Sequence, residues 1–129
     1  MIKFRAWDKE LQTMLDVSLI DFKKGVLVGE HWEFGETNFM NFDEIVLMQS
    51  TKILDKNSQE IFEGDILAFE TDDEVIKVNV FWDEEHALFM FESKKYNEQE
   101  LLAELVENNT YPFEIIGNIY ENPELLEDK

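Results

Sequence analysis

Residues 47–67 constrain the fold of this chain more than any other stretch. The segment, LMQSTKILDKNSQEIFEGDIL, has apolar runs on both sides of a polar turn at residues 55–58. A short polar insert between β-prone runs predicts a hairpin or a tight strand reversal. Gly64 interrupts the second run, and glycine is the residue that adopts a positive φ at the least cost. Residues 66–69 then predict a further strand, so this segment indicates a small β-fold.

Most of the remaining chain consists of short β-prone segments separated by polar turns. We predict further strands at residues 2–7, 11–17, 26–28, 42–48, 75–82, 87–91 and 113–120. Short strands at this spacing are typical of a small barrel or sandwich. Residues 29–42 mix glycines with aromatic residues, which favours a long hairpin tip or an irregular loop held by its rings.

One segment has the pattern of an amphipathic helix. Its apolar residues recur at helical spacing and form one stripe: Leu101, Leu102, Leu105 and Val106. Asn97 is a suitable N-cap, and Pro112 prevents continuation beyond the end of the pattern. We therefore predict a helix at residues 97–108. A second, short helical turn is predicted after Asn122, because Pro123 suits the first helical position.

Composition and charge exclude several classes of protein. The chain has no cysteine, which removes disulfides, thiolate zinc sites and cysteine nucleophiles. Its net charge of −19 disfavours direct binding to nucleic acid or anionic lipid and favours basic partners. No apolar run is long enough for a membrane span, and the N-terminus lacks the apolar core of a signal peptide. We expect a folded, soluble, cytoplasmic protein.

The sequence offers little that indicates catalysis or metal binding. His31 and His86 are the only histidines, and they are far apart in the sequence. His86 follows Asp83-Glu84-Glu85, for which a solvated turn is favoured over a metal site. The nucleophile-elbow, P-loop and Rossmann motifs are missing. The aromatic residues near Trp82 are flanked by carboxylates, so core packing is favoured over base stacking. We predict no catalytic residue, no metal site and no cofactor.

Three segments together resemble the YopX family of phage and prophage proteins. They are IKFRAWDK at residues 2–9, the central segment at 47–67, and IIGNIYENPELL at 115–126. The chain departs from the family pattern at Lys52 and Ser58, where relatives often have glycine. The resemblance implies a β-rich protein of phage or prophage origin whose later part looks like an SH3-type barrel. It implies no activity and no catalytic residues.

We accordingly predict a mainly β protein with a minor α component and one amphipathic helix. A β-hairpin subdomain at residues 1–58 would precede a small SH3-like barrel at 59–129, closed by the strand at 113–120. Two functions remain open. The first is a non-enzymatic interaction or self-assembly module that contacts itself, as a homo-oligomer, or a host protein. The second is an acidic DNA mimic that occupies a host nucleic-acid-binding protein.

Five residues are candidates for protein contact. The basic residues of the near-neutral N-terminal hairpin are candidates for docking against an acidic neighbour, and three tryptophans are candidate exposed anchors, although burial is the default for each. The candidates are Arg5, Trp7, Lys9, Trp32 and Trp82.

Overall fold

In a computed structural model, the regular secondary structure of the chain is almost entirely antiparallel β-strand. The structure describes residues 3–108 and 112–127, and only the backbone of residues 106–108. The strands are β1 (Phe4–Asp8), β2 (Thr13–Asp21), β3 (Val26–His31), β4 (Thr37–Asn41), β5 (Ile45–Leu54), β6 (Glu60–Phe62), β7 (Asp65–Glu70), β8 (Val75–Asp83), β9 (Leu88–Ser93), β10 (Glu98–Leu101) and β11 (Phe113–Asn118). One helix, α1 (Leu102–Asn108), and two 3-10 turns, Phe42–Glu44 and Pro123–Leu126, complete the described elements. More than half of the described residues lie in strands, so the predicted mainly β class is confirmed.

The chain divides into two compact units, Met1–Ser50 and Thr51–Lys129. Strand β5 begins in the first unit and ends in the second. The boundary predicted between residues 58 and 59 lies in the turn between β5 and β6, within the second unit.

The first sheet has six strands in the order β4-β3-β2-β1-β5-β6, and β1 to β4 with the start of β5 belong to the first unit. Side chains alternate between the two faces of a strand, and the register places Leu27 opposite Met40 and Ala6 opposite Leu15. The apolar residues of one face therefore meet and form the core of this unit. Its buried members are Ala6, Leu15, Leu27, Met40 and Ile45. A β-bulge in β2, between Val17 and Leu19, restores this alternation after Ser18.

The second unit has a five-stranded sheet with the order β10-β9-β8-β7-β11. Leu67 lies opposite Val78, and Val80 lies opposite Phe91, so one face again collects the apolar side chains. The buried core is Ile61, Leu67, Val78, Val80, Phe91, Leu102 and Phe113. Within the described ranges the strands do not close into a barrel, and β11 is an edge strand beside β7.

The central hairpin is confirmed, and its turn has a defined geometry. The N–H of Ser58 donates to the carbonyl of Asp55, and the N–H of Asp55 donates to the carbonyl of Gln59. Ser58 has a φ of 63°. These are the features of a type I turn followed by a left-handed residue, which forms a bulge, and not of a type I′ turn. Lys52 also has a positive φ, 66°, so both departures from the family pattern occupy positions that suit glycine.

Asp55 joins this turn to the edge of the second sheet. One oxygen of its buried carboxylate accepts the N–H groups of Asn57 and Gln59, and the other accepts the N–H of Ile115. The N–H of Lys56 donates to the carbonyl of Phe113. The backbone of β11 that faces away from β7 is therefore hydrogen-bonded to the turn.

Gly64 has the positive φ that the sequence predicts, 85°. Its N–H donates to the carbonyl of Val80, and its carbonyl accepts the N–H of Ile119. The central segment thus serves to connect the strands of the second unit.

Three hairpins share one kind of loop, in which an aspartate caps four loop residues. Asp8, Asp21 and Asp83 each end a strand, and one oxygen of each accepts the backbone N–H groups two and three residues later. The fourth loop residue is in each case left-handed: Gln12 at 56°, Gly25 at 69° and Ala87 at 54°. We call these the Asp-capped loops.

The structure corrects three sequence predictions. The helix expected at residues 97–108 begins only at Leu102, because residues 98–101 pair with β9 as a strand and Asn97 has a φ of 53° instead of acting as an N-cap. The irregular loop expected at 29–42 contains β4, which pairs with β3. The last strand ends at Asn118, and the predicted short turn follows at Pro123–Leu126. None of the helices in the described part of the chain is long and apolar enough to cross a membrane.

Candidate functional site

The five predicted contact residues differ in their exposure. Arg5 and Trp7, on β1, are only 4% and 6% exposed. Neither side chain presents a surface to a partner in this structure. Lys9 is exposed in the first Asp-capped loop, where its ammonium donates to the carbonyl of Asp43 at 3.2 Å. An electrostatic docking patch that uses Arg5 and Lys9 together is therefore not presented.

The two remaining tryptophans are at the surface of different units. Trp32, in the first unit, is half exposed, and its indole N–H donates to a carboxylate oxygen of Asp16 at 2.8 Å. Trp82, in the second unit, packs against the ring of Phe89 with centroids 4.8 Å apart. Each ring is thus held in position while part of its surface remains in water, which is the arrangement of an aromatic anchor.

The first sheet carries an exposed apolar row on the face opposite its core. We call this the outer face; it bears Asp16, Leu19, Val28, Glu30 and Phe39. Leu19 lies opposite Val28 on the neighbouring strand, and Val28 lies opposite Phe39. Leu19 is 58% exposed and Phe39 is 68% exposed. The pattern of residues 29–42 does not predict β4, and the row forms only when β2, β3 and β4 pair. The row therefore cannot be predicted from the sequence.

Trp32 belongs to the same outer face. Its hydrogen bond to Asp16 fixes the indole beside the strand position that precedes the bulge in β2. Apolar and aromatic groups next to a small number of polar ones are typical of protein contact surfaces. The outer face therefore offers the chemistry of a docking surface.

A buried polar cluster lies on the opposite, core side of the same sheet. Nε2 of His31 is 2.9 Å from a carboxylate oxygen of Asp8, and Nδ1 is 3.0 Å from the amide nitrogen of Asn38. Because an amide nitrogen can only donate, this arrangement requires the ring proton on Nε2, directed at Asp8. Asp8 and His31 are each 2% exposed. Both ring nitrogens are thus engaged, and the cluster holds His31 in place instead of presenting a base to substrate.

The ionisation of Asp8 is favoured by its partners. Burial raises the pKa of the Asp8 carboxyl. Hydrogen bonds from His31 and from the N–H groups of Leu11 and Glu10 together lower this pKa by more than burial raises it. The net result is a pKa below the ordinary value of 3.8. The contact between Asp8 and His31 was not predicted from the sequence, because the strand register that brings residue 8 to residue 31 has no local signal.

One further group of potential ligands lies in the third Asp-capped loop. Ligand atoms of Asp83, Glu85 and His86 lie within 4.8 Å of one another. Nδ1 of His86 is 2.8 Å from the Asp83 carboxylate, and this hydrogen bond lowers the pKa of Asp83. Since the other Asp83 oxygen caps the loop backbone, as in the two other Asp-capped loops, the loop itself accounts for the closeness of these groups.

Comparisons with known proteins give one family match and two solved structures of similar fold. A family model described as YopX protein matches residues 3–127. The fold is similar to a solved structure titled protein EF1440 from Enterococcus faecalis, with 28% identity, a TM-score of 0.66, and coverage of 98% of this chain and 99% of that one. It is also similar to the crystal structure of protein yopX from Bacillus subtilis, with 20% identity, a TM-score of 0.62, and coverage of 97% and 98%. No significant match was found among curated proteins.

Proposed function

The chain belongs to the YopX family, and from this premise we propose that it is a non-enzymatic accessory protein of phage or prophage origin that acts by docking to another protein. The docking surface is the outer face of the first unit, and the partner is a second copy or a protein of the bacterial host. The site of action is the host cytoplasm, with which a cysteine-free sequence is compatible.

The observation that carries this proposal is the exposed row Leu19, Val28 and Phe39. Leu19 and Phe39 are exposed, and Val28 between them is half-buried. Apolar side chains aligned in this way across three strands are favourable contact points, because burying their exposed surface on binding releases free energy. Trp32 adds a half-exposed ring on the same face. The unit that bears this face is also the less charged of the two, so repulsion opposes close approach less there.

The local chemistry supports a role without catalysis. The Asp8–His31 pair is buried and satisfied by hydrogen bonds, and the Asp83–His86 pair lies in a solvated loop. A general base needs access to its substrate together with a pocket that tunes it.

Replacement of Leu19 by aspartate tests the docking surface. Leu19→Asp places a charge in the exposed row while leaving the core face unchanged, so association with a second copy or with a captured host protein should fall about tenfold or more. The matched control is Leu88→Asp, at an exposed leucine of the second unit. Sedimentation of the tagged full chain and pull-down from host lysate report the two kinds of association. The proposal is wrong if Leu19→Asp behaves like wild type in both assays.

The acidic DNA mimic is the second candidate, and charge segregation favours it. Residues 51–129 contain 21 acidic and six basic residues, whereas residues 1–50 contain nine and five. We propose as the alternative that the second unit imitates the phosphates of DNA and occupies a nucleic-acid-binding host protein. Such a partner should be captured at low salt and released by high salt or by competing DNA. Capture that survives both treatments would contradict mimicry.

A further inference from the structure

Strand β4 is an edge of the first sheet that lacks the usual protection against pairing. Natural edge strands are blunted by charged side chains, proline, bulges or a covering segment. Strand β4 has the sequence TNFMN, without charge or proline, and it pairs with β3 in continuous register. Thr37, Phe39 and Asn41 are exposed, so in the described part of the chain the outer side of β4 is open to another strand.

The edges of the second sheet are protected in contrast. The outer strand β10 carries Glu98 and Glu100, and charges of this kind disfavour pairing with an acidic chain. The backbone of β11 is hydrogen-bonded to the turn at Asp55, as described above. The remaining edge strand, β6, has only three residues and begins with Glu60. Among the four edge strands of the described chain, β4 alone has an uncharged sequence and outward residues that are exposed.

The pairing of β4 with β3 determines which backbone groups point outward. The N–H of His31 donates to the carbonyl of Glu36, and the N–H of Phe42 donates to the carbonyl of Gly25. Because hydrogen-bonded pairs alternate along an antiparallel ladder, residues 36, 38, 40 and 42 bond to β3. The N–H and carbonyl groups of Thr37, Phe39 and Asn41 then point away from the sheet.

We infer that β4 pairs antiparallel with β4 of a second copy of this chain, about a two-fold axis at Phe39, and so joins two first units into one continuous sheet. This inference goes beyond the proposed docking by the outer face: it uses the edge of the same sheet and names the partner and the register. The three outward residues on each strand would form about six backbone hydrogen bonds across the axis. Thr37 would lie opposite the partner's Asn41, and Phe39 opposite the partner's Phe39.

A second copy fits this edge because the exposed row then continues across the axis. Directly opposed residues lie on the same face of a sheet, so both Phe39 rings would lie on the outer face. The row would run from Leu19, Val28 and Phe39 of one copy to the same residues of the other. No other register pairs all three outward residues while placing the two phenylalanine rings together. The uncharged sequence of β4 also lets two acidic chains approach at this one edge.

Cysteine cross-linking tests this register in a chain that has no cysteine of its own. Opposed residues of a hydrogen-bonded pair have Cα atoms about 5.5 Å apart, within the range that a disulfide bridges. Thr37→Cys mixed with Asn41→Cys should therefore give a covalent dimer under mild oxidation. Either variant alone should not, because like positions would be four residues, about 13 Å, apart along the strands.

Phe39→Lys provides the complementary variant and keeps the interface free of cysteine. A lysine on the edge should raise the dissociation constant of the dimer about tenfold or more, measured by sedimentation. Leu88→Lys in the second unit is the matched control and should leave the constant unchanged. Phe39 is 68% exposed, so its replacement should leave the midpoint of thermal unfolding of the chain unchanged.

The possible outcomes separate this inference from the proposed function. Cross-linking of the mixture alone, together with loss of association in Phe39→Lys, supports pairing through β4. If the wild type associates and Leu19→Asp weakens association, but the mixture cross-links no better than the single variants, edge pairing is wrong and docking by the outer face stands. If the wild type is monomeric yet Leu19→Asp loses a host partner, the second copy is the wrong occupant. If neither kind of association depends on Leu19, docking by the outer face is wrong. If, in addition, the mixture cross-links no better than the single variants, edge pairing is wrong as well.

Discussion

At the scale of single residues, carboxylates in this chain act mainly on their own backbone. Asp8 and Asp55 are buried, yet each accepts hydrogen bonds from N–H groups that the surrounding turn would otherwise leave without partners. A hydrogen bond to a charged group contributes about 1.5–3 kcal/mol, so these side chains define the turns as well as stabilise them. The abundance of acidic residues therefore reflects local structure at several positions and net charge at the others.

Asp8 predicts how the stability of the first unit depends on pH. Its folded pKa lies below the ordinary value, so ionised Asp8 contributes stability that is fully present above about pH 4 and is lost as pH falls through the folded pKa. Asp8→Asn should therefore flatten the decline of the unfolding free energy in this acid range. Urea denaturation between about pH 5 and pH 2 measures this slope.

The matched control is Glu33→Gln, which removes an exposed carboxylate from the turn between β3 and β4. It should keep the wild-type slope. An unchanged slope in Asp8→Asn would mean that the hydrogen bond to His31 does not favour the ionised carboxylate.

At the scale of elements, the Asp-capped loops explain why the hairpins form where they do. Each loop places its fourth residue in a left-handed conformation, which glycine adopts without strain and other residues adopt at a cost. Only the loop that follows Asp21 has glycine there. The turns at Asp8 and Asp55 both begin with the pair Asp-Lys, but their geometry differs because Asp55 caps a shorter turn. Asp21 and Asp83 share the geometry of Asp8.

Exchanging glycine and alanine between two of these loops should change stability in opposite directions. Gly25→Ala should lower the free energy of unfolding by about 1 kcal/mol, and Ala87→Gly should raise it by about 0.5 kcal/mol. A Cβ at Gly25 would meet only the Phe42 ring, at 3.9 Å, which is an ordinary contact. The comparison therefore isolates the cost of the backbone conformation.

Thermal or urea unfolding of the two variants measures these changes. Equal signs in the two variants would show that side-chain contacts, and not the left-handed backbone, control the stability of the loops.

At the scale of the whole molecule, charge determines how the chain meets other molecules. The net charge is −19, and most of it lies in residues 51–129. Two copies of the chain therefore repel each other, whereas the chain attracts basic proteins. Ions screen both the repulsion and the attraction, so added salt changes the two kinds of association in opposite directions.

Salt should accordingly strengthen self-association and weaken binding to a basic partner. Raising the salt from about 0.05 M to about 0.5 M shortens the screening length severalfold, so the dissociation constant of a dimer joined through β4 should fall. Sedimentation equilibrium at several salt concentrations measures this trend. A dimer that dissociates as salt rises would instead indicate contact between opposite charges and contradict pairing through an uncharged edge.

The sequence by itself determined those features that depend on neighbouring residues. Alternation and turn residues gave the mainly β class, the central hairpin, the positive φ of Gly64 and the turn at Pro123, because each is a local preference of the backbone. The three quoted segments gave the family for the same reason, since they can be recognised by reading along the chain.

The tertiary structure decided whatever depends on pairing between distant segments. Residues 98–101 form a strand despite their helical pattern, because β9 supplies hydrogen bonds that a short helical turn in water does not match. Arg5 and Trp7 are buried in the folded chain, which the alternation of residues along β1 does not specify. Strand register alone brings Asp8 to His31 and aligns Leu19 with Val28 and Phe39, and no local preference of any of these residues specifies that register.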